Sequence, residues 1–383
     1  MKIIRFGELY SIPTSNGVSR PSAVRGEGFH MINMGELFSF DVINEMPMER
    51  VFLSDKEQKK YLVKKGDLLF ARQSLVAAGA GKCSIVNNIL EPTTFESHLI
   101  RVRLDETRCC PRYYYYLFKL PDNPIKTIVN QCAQAGIRGS ELQKIKVPLP
   151  MLAEQHRIAS ILSAYDNLIE NNNRRIRLLE QMAENLYKEW FVRFRFSGHE
   201  KVEFENGLPK GWKVWKIKNV VKRLPFNRTY KEFELEKEGK VIVIDQSTDE
   251  YLGFHNNAPS HKANYEKPIL LFGDHSCKFQ IMTCDFSLGE NVIPFTTNNS
   301  ELVNDYWLFY ATHKRIVTEE YKRHWGRFSS MKILVPNVCL QRDFASFIRR
   351  IEKEKNALHQ ASSLLARQRD LLLPRLMSGK LEV

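Results

Sequence analysis

The amino-acid sequence predicts an α+β protein with two similar mixed α/β modules, each followed by a long helix. It also predicts that the two helices pair as an antiparallel coiled coil. Three observations support this fold class: a heptad pattern in the middle of the chain, a second copy of that pattern between Phe344 and Leu376, and strand-like segments before each copy. Such a half-chain repeat determines how every other segment is interpreted.

The central helix is predicted over Glu154–Trp190, where apolar side chains recur in alternating steps of four and three residues. This spacing is typical of a coiled-coil seam sustained over about five heptads. The predicted seam consists of Ile158, Leu162, Tyr165, Ile169, Asn172, Ile176, Leu179, Ala183, Leu186 and Trp190. Asn172 is its one amide, and two interpretations stay open. A single polar seam residue commonly fixes the register of a coiled coil, whereas a run of three asparagines also suits a solvated kink.

The second helix repeats this stepping at a constant offset, since Ile158 maps onto Phe344 and Trp190 maps onto Leu376, 186 residues later. Its predicted seam consists of Phe344, Ile348, Ile351, Lys355, Leu358, Ser362, Leu365, Arg369, Leu372 and Leu376. The phrase KIKVP at Lys144–Pro148 precedes the first helix, and KILVP at Lys332–Pro336 precedes the second. Because a module separates the helices, they can pair within one chain only by folding back antiparallel.

Each helix follows a strand-rich module whose elements are separated by Gly, Pro and Asn turns. In the first module, strands are predicted at Phe29–Phe38, Gly66–Arg72, Gly81–Ile89 and Glu96–Leu104, and a helix at Pro111–Leu120. In the second, Val214–Val221 corresponds to Ile3–Tyr10 of the first, four strands are predicted between Lys240 and Thr297, and a helix is predicted at Asn304–Lys314. The stretch Glu205–Lys213, with two glycines and a proline, is predicted to link the halves.

Bulk composition restricts the class of protein. A hydrophobic content of 43% in 383 residues fits a folded chain with more than one core. No apolar run is long enough for a membrane anchor, and the first residues do not resemble a signal peptide. Seven cysteines without a CxxC pair fit a reducing compartment. We therefore expect a cytoplasmic protein without a membrane partner, and the net charge of +13 favours a polyanionic one.

Catalytic and cofactor motifs are missing from the sequence. AAGAGKCS at Ala77–Ser84 resembles a phosphate loop, but Val76 replaces its first glycine and Cys83 its hydroxyl residue, so we interpret it as a turn before a strand. His255 with His261, or His275 with Cys277 and Cys284, match no zinc spacing. We therefore predict no catalytic residues, no metal site and no cofactor bound by this chain.

Basic residues interleaved with amides and aromatics occur on predicted loops, which is typical of nucleic-acid contacts. Arg can bond guanine or phosphate in a bidentate manner, Gln and Asn can bond adenine, and Lys mostly meets phosphate. Any single one is more often an ordinary solvated charge. The first-module candidates are Arg20, Arg25, Arg72, Gln73, Ser74, Lys82 and Arg138. The second-module candidates are Arg223, Asn227, Arg228, Lys262, His275, Lys278, Lys322, Arg323, His324 and Arg327.

With these features established, the chain resembles the specificity subunit of Type I restriction–modification enzymes. Ala133–Phe194 resembles the central conserved region of that family, with its Val-Pro-Leu-Pro, Glu-Gln and Asn-Arg-Arg-Ile phrases in order. GLPKGWKVWKIKNV resembles the entry to a second target recognition domain, and Arg369–Val383 resembles the C-terminus of the family. The second copy departs from the pattern at Asn337–Phe344, which puts equal contact of both helices with partner subunits in doubt.

The resemblance implies target recognition domains at residues 1–150 and 197–336 and conserved helical regions at 151–196 and 337–383. It implies that the two domains read the halves of a split, asymmetric site in double-stranded DNA. The helices would set the spacing and dock two modification (methyltransferase) subunits. S-adenosylmethionine, ATP and Mg would be bound by those subunits and by restriction (translocase/nuclease) subunits. The alternative is a stand-alone DNA-binding regulatory or architectural protein without modification partners.

Overall fold

The computed structural model describes residues 2–74, 79–131, 135–247, 249–317 and 322–381. The chain forms two compact units. The first unit comprises Met1–Glu170 together with Ser363–Val383, and the second comprises Asn171–Ser362. Each long helix therefore has residues in both units.

The first unit contains thirteen short strands among its described residues. They are β1 (Lys2–Arg5), β2 (Ser15–Asn16), β3 (Arg25–Ile32), β4 (Val42–Asn44), β5 (Glu49–Val51), β6 (Leu68–Ala71), β7 (Gln73–Ser74), β8 (Cys83–Asn88), β9 (Thr93–Phe95), β10 (Leu99–Val102), β11 (Asn130–Gln131), β12 (Ala135–Gly136) and β13 (Lys146–Leu149). The main sheet has the order β2-β10-β6-β8-β4, and three smaller sheets have the orders β5-β3-β9, β11-β12-β7 and β1-β13.

Four α-helices among the described residues complete that module before the first long helix. They are α1 (Met34–Ser39), α2 (Asp55–Tyr61), α3 (Pro111–Lys119) and α4 (Gly139–Leu142). The tyrosine-rich helix α3 is held by its aromatic side chains, because Tyr113, Tyr114 and Phe118 share a buried core with Phe6 and Phe70. Burial of these large rings is the main apolar contribution to the stability of the module.

The second unit has eleven strands and two short helices among its described residues. They are β14 (Phe204–Glu205), β15 (Leu208–Pro209), β16 (Lys213–Lys216), β17 (Val221–Arg223), β18 (Val241–Ile244), β19 (Gly253–His255), β20 (Ile269–Gly273), β21 (Phe279–Met282), β22 (Phe286–Leu288), β23 (Val292–Thr297), α6 (Asp305–Thr312), α7 (Trp325–Ser330) and β24 (Lys332–Val335). Its sheets have the orders β17-β23-β20-β21, β19-β18-β22, β16-β24 and β14-β15. Its core is built around Trp307, Phe272, Phe295 and Phe344.

The long helices are α5 (Leu152–Tyr187), which continues into a π-helical turn at Lys188–Val192, and α8 (Val338–Met377). Every residue of the two predicted seams is buried or half-buried. Four leucines of these helices outside the seams, Leu168, Leu178, Leu364 and Leu371, are exposed by 50–62%, whereas Leu373, also outside the seam, is buried. The helical interpretation of the four-three pattern is thus confirmed, and it predicts which apolar residues face inward.

Polar seam residues of α8 each meet a polar residue of α5. In the second unit, Lys355 Nζ lies 3.1 Å from Glu180 Oε1, and Asn172 Nδ2 donates to Ser362 Oγ at 3.2 Å. In the first unit, Arg369 donates to Asp166 at 2.7 Å. Within the second unit the residue numbers of α8 rise as those of α5 fall, so the pairing is antiparallel. Asn172 is buried within continuous α-helix, which favours a role in register over a solvated kink.

One predicted strand is wrong in its second half. Phe29–Phe38 divides into β3, which ends at Ile32, and α1, which begins at Met34. The Asn33 backbone N–H donates to the Glu36 carboxylate at 2.8 Å, which is one arm of a capping box. This local signal at the helix start outweighs the apolar run that suggested a longer strand.

Candidate nucleic-acid interface

Each module is closed by an antiparallel strand pair at its boundary with a long helix. β1 pairs with β13 in the first unit, and β16 pairs with β24 in the second. β13 overlaps the KIKVP phrase at Lys146–Pro148 and β24 comprises its counterpart at Lys332–Val335, so the short sequence repeat overlaps the closing strand in both halves.

A buried glutamine at the start of each long helix fastens it to its module. The Gln155 side chain accepts from Cys110 N at 2.9 Å and donates to Pro150 O at 3.0 Å. The Gln341 side chain accepts from Asn304 N at 2.9 Å and donates to Pro336 O at 2.8 Å. Cys110 and Asn304 precede α3 and α6 respectively, so each glutamine holds the start of the aromatic helix of its own module.

No role was predicted for these glutamines from the sequence, although they are separated by the same 186 residues as the repeated seam positions. The second copy departs from the first around Asn337–Phe344, yet Gln341 keeps the contacts that Gln155 makes. Both side chains are fully buried. The start of α8 is therefore built like the start of α5.

Of the first-module candidates, Gln73 and Ser74 form β7 of the β11-β12-β7 sheet, Arg72 directly precedes β7, and Arg138 lies two residues beyond β12. Gln73 pairs with Gly136 and Ser74 with Ala135, while Ile137 N donates to Arg72 O at 2.9 Å, which places Arg138 close by. The Gln73 amide oxygen lies 3.1 Å from His98 Nδ1. His98 thus orients the Gln73 side chain, a role that the sequence reasoning missed because the two residues are distant along the chain.

The remaining first-module candidates already bond to other residues. Arg20 donates to the Glu57 carboxylate at 2.6 Å, and Arg25 donates to Glu49 at 2.5 Å. Hydrogen bonds from Ser54 and from Arg20 lower the pKa of Glu57 from 4.5 to about 2. Lys82 Nζ donates to Phe38 O at 2.5 Å. Arg20, Arg25 and Lys82 thus have structural partners, whereas Arg72 and Arg138 make no ion pair with any residue that the structure describes.

Second-module candidates fall into two groups. The first group lies near α7, where Arg223 packs on Trp325. The Asp274 carboxylate lies 3.9 Å from Arg323 and accepts from the backbone N–H of His324. Lys278 donates to Asp249 O. His275 follows Asp274 directly, Lys322 precedes α7, and Arg327 lies within α7. In the other group, Asn227 donates to Ser260 O at 3.0 Å, Arg228 pairs with Glu234, and Lys262 lies two residues beyond Ser260.

The His255 and His261 side chains are engaged in hydrogen bonds, whereas His30, Glu45 and Glu91 lie close enough together to hold a metal ion. His255 Nε2 bonds Ser287 Oγ and His261 Nε2 bonds Pro225 O, and burial lowers the pKa of both imidazoles. His30 lies 3.4 Å from Glu45 and 3.9 Å from Glu91. Arg50 contacts the same Glu91 oxygen at 2.8 Å and lowers the pKa of Glu91 by its hydrogen bond. Because Arg50 already supplies a positive charge beside Glu91, this arrangement does not require a metal ion.

No helix among the described residues is both long and apolar enough to cross a bilayer. The described residues form two modules with similar scaffolds, each joined to one of two paired helices. Side chains with nitrogen donors are grouped on the loops of both modules.

A model of the Type I restriction modification DNA specificity domain matches residues 31–181. The putative Type I restriction enzyme MjaX specificity subunit of Methanocaldococcus jannaschii is 24% identical over 360 residues, covering 86% of this chain and 82% of that protein. The MjaIX specificity subunit of the same organism is 36% identical over 116 residues, which is 29% of this chain and only 27% of that protein. The Type I restriction–modification S subunit of M. genitalium shares the fold, with a TM-score of 0.58 at 15% identity over 98% of this chain and 95% of that one.

The chain is similar to the specificity subunits of Type I restriction–modification enzymes. This agrees with the resemblance of Ala133–Phe194 to the central conserved region of that family, and the fold class predicted from the internal repeat is confirmed.

Proposed function

We propose that this chain provides the DNA sequence specificity of a Type I restriction–modification complex, with each module reading one half of a split, asymmetric site. The observation that carries the proposal is the repeated attachment of each module, through a strand pair and a buried glutamine, to one of two paired helices. Equivalent scaffolds with different loops suit two readers of different base sequences. The donors of Arg72, Gln73 and Arg138 in one module and of Arg223 in the other suit contacts with base edges and phosphates.

In this proposal the chain is non-catalytic and acts in the cytoplasm. Two modification subunits bind S-adenosylmethionine and methylate DNA, and restriction subunits supply ATP- and Mg-dependent translocation and cleavage. The helices act as the spacer between half-sites. α5 alone has 36 residues and is about 54 Å long.

The exposed leucines of the helices offer docking positions for the modification subunits. Leu178 in the second unit and Leu364 in the first are related by the 186-residue repeat and are 53% and 60% exposed. Met182 and Phe347 add exposed apolar surface beside Leu178. Apolar side chains grouped on a surface are a common feature of protein interfaces.

We predict that Leu178→Glu removes one modification subunit from the complex and that Leu364→Glu removes the other, because each buries a charge in one of two equivalent interfaces. Native mass spectrometry of the co-expressed complex counts the subunits. Lys56→Glu, an exposed change on α2 of the first module, serves as the control and should leave two subunits bound. Two bound subunits in both leucine variants would show that docking uses another surface.

The proposed function is tested by co-expression with the modification subunit and sequencing of N6-methyladenine in host DNA. A split, asymmetric motif that disappears on deletion of this gene is expected. Methylation that does not change on deletion would overturn the proposal. The alternative of a stand-alone DNA-binding regulator gains no support, since the relatives described above are specificity subunits.

A further inference from the structure

The arginines among the candidates differ in what their guanidinium groups already bond. Arg20, Arg25 and Arg228 each donate to a carboxylate of the same module. An arginine that reads a base needs two coplanar N–H donors at the edge of the guanidinium group. Donors engaged by a neighbouring carboxylate are not available for this, so these three are poor readers.

Arg223 is held in a different way. Its guanidinium carbon lies 5.5 Å from the ring centre of Phe226 and 5.5 Å from that of Trp325. It makes no ion pair with any residue in the described part of the chain. Aromatic faces stabilise the cation through the π electrons, and this contact uses none of its N–H donors. Arg223 therefore keeps its hydrogen-bonding capacity while its side chain is restrained.

The ring of Trp325 is itself fixed by the core of the module. It packs against Phe295 at 5.4 Å and Phe328 at 5.3 Å between ring centres. Its backbone N–H donates to the Asp274 carboxylate at 2.9 Å. Arg223 is the last residue of β17, opposite Phe295 in the neighbouring strand. Strand, aromatic cluster and capping carboxylate together hold Arg223 in place before DNA arrives, which lowers the entropy lost on binding.

We propose that Arg223 reads a guanine in the half-site bound by the second module, with Phe226 and Trp325 as positioning residues. This inference rests on the proposed function. The two coplanar donors of a guanidinium group match O6 and N7 of guanine in the major groove, whereas adenine presents a donor in place of O6. A lysine at the same place would keep the charge and lose the paired donors.

The test uses the full chain in complex with its modification subunits. Sequencing of N6-methyladenine first gives the recognised motif, and competition binding then measures each base of both half-sites. Arg223→Lys should weaken the preference for one guanine by ~5- to 100-fold and leave the other half-site unchanged. 7-Deazaguanine, which lacks the N7 acceptor, should reduce binding of the natural protein at that position and have no further effect on Arg223→Lys.

Two further variants distinguish reading from general support. Arg228→Lys is the matched control, because Arg228 also packs on an aromatic ring, Tyr230 at 4.6 Å, but bonds the Glu234 carboxylate. It should retain the natural motif. Phe226→Leu, at a side chain that is 47% exposed, should reduce the guanine preference while leaving the salt dependence of binding unchanged.

The outcomes separate this inference from the proposed function. A split motif that Arg223→Lys leaves intact, a second half-site without guanine, or equal tolerance of 7-deazaguanine in both proteins would overturn the guanine assignment alone. Absence of any split motif in cells that carry the natural protein would overturn the proposed function itself.

Discussion

At the residue scale, charge type alone is a poor guide to DNA contact, because local partners decide which donors are available. Arg20 and Arg72 have the same side chain and lie in the same module. The first is bonded to Glu57 at 2.6 Å, whereas the second follows β6 directly and has no such partner in the described residues. The sequence does not reveal this difference, because Glu57 lies 37 residues from Arg20 along the chain.

We predict that Arg72→Ala weakens binding to the half-site of the first module by roughly 5- to 100-fold, because a donor pair close to Gln73 and Arg138 is lost. Arg20→Ala is the matched control and should change that binding little while lowering the thermal stability of the module. Competition binding with each half-site mutated in turn gives the comparison. Equal loss on unrelated DNA would reduce Arg72 to a phosphate contact.

At the element scale, the two long helices are specified by more than an apolar stripe. An apolar stripe alone permits several registers, since any shift by a heptad again meets apolar residues. Lys355, Ser362 and Arg369 lie opposite Glu180, Asn172 and Asp166, and a shifted register would break these three contacts. It would also leave the buried Asn172 amide without its partner, which is costly, so the polar residues favour one alignment.

The glutamines at the helix starts lead to a prediction for each module. Gln341→Ala leaves the N–H of Asn304 and the carbonyl groups of Pro336 and Leu302 without their partner. We expect the free energy of local opening around α6 and β24 to fall by ~1–3 kcal/mol. Hydrogen exchange read by mass spectrometry locates the effect.

Gln155→Ala should produce the same change around α3 and β13 in the first unit. Gln181→Ala, an exposed change on α5, is the control and should leave protection unchanged. Protection lost evenly throughout the chain in the Gln341 variant would contradict a local fastening role.

Much of the fold can be derived from the sequence because heptad stepping, short apolar strands and the 186-residue repeat are regular patterns. The residue at which a helix begins is harder to predict. Asn33 and Glu36 end a strand that apolar content alone extends to Phe38. The proposed base-contacting surface is only partly derivable, because the pairing of Gln73 with His98 and the packing of Arg223 on Trp325 join residues that are far apart in sequence. Only the folded chain shows which donors remain available.

At the scale of the whole molecule, the paired helices are proposed to fix the distance between two half-sites. Residues of α5 and α8 contribute to both compact units. The polar pairs in the seam keep the two helices aligned. The spacing between half-sites should therefore depend on the length of both helices together.

We predict that seven residues inserted in both helices, between Ile169 and Asn172 and between Ser362 and Leu365, lengthen the non-specific gap. The added rise is about 10 Å, or about three base pairs. Methylome sequencing reads the gap directly. The same insertion in α5 alone is the control, and it should impair assembly because polar partners no longer align. An unchanged gap in the double insertion would show that the helices only tether the modules.

The strand pairs that close each module have a genetic consequence. The chain enters the first module through β1 and leaves through β13, which is hydrogen-bonded to β1 over four residues; β16 and β24 do the same in the second. Everything between entry and exit can be replaced as a cassette without changing the path of the helix that follows. Recombination between genes at the short KIKVP- and KILVP-coding stretches would then install a new recognition half-site in one event, with the assembly surfaces inherited unchanged.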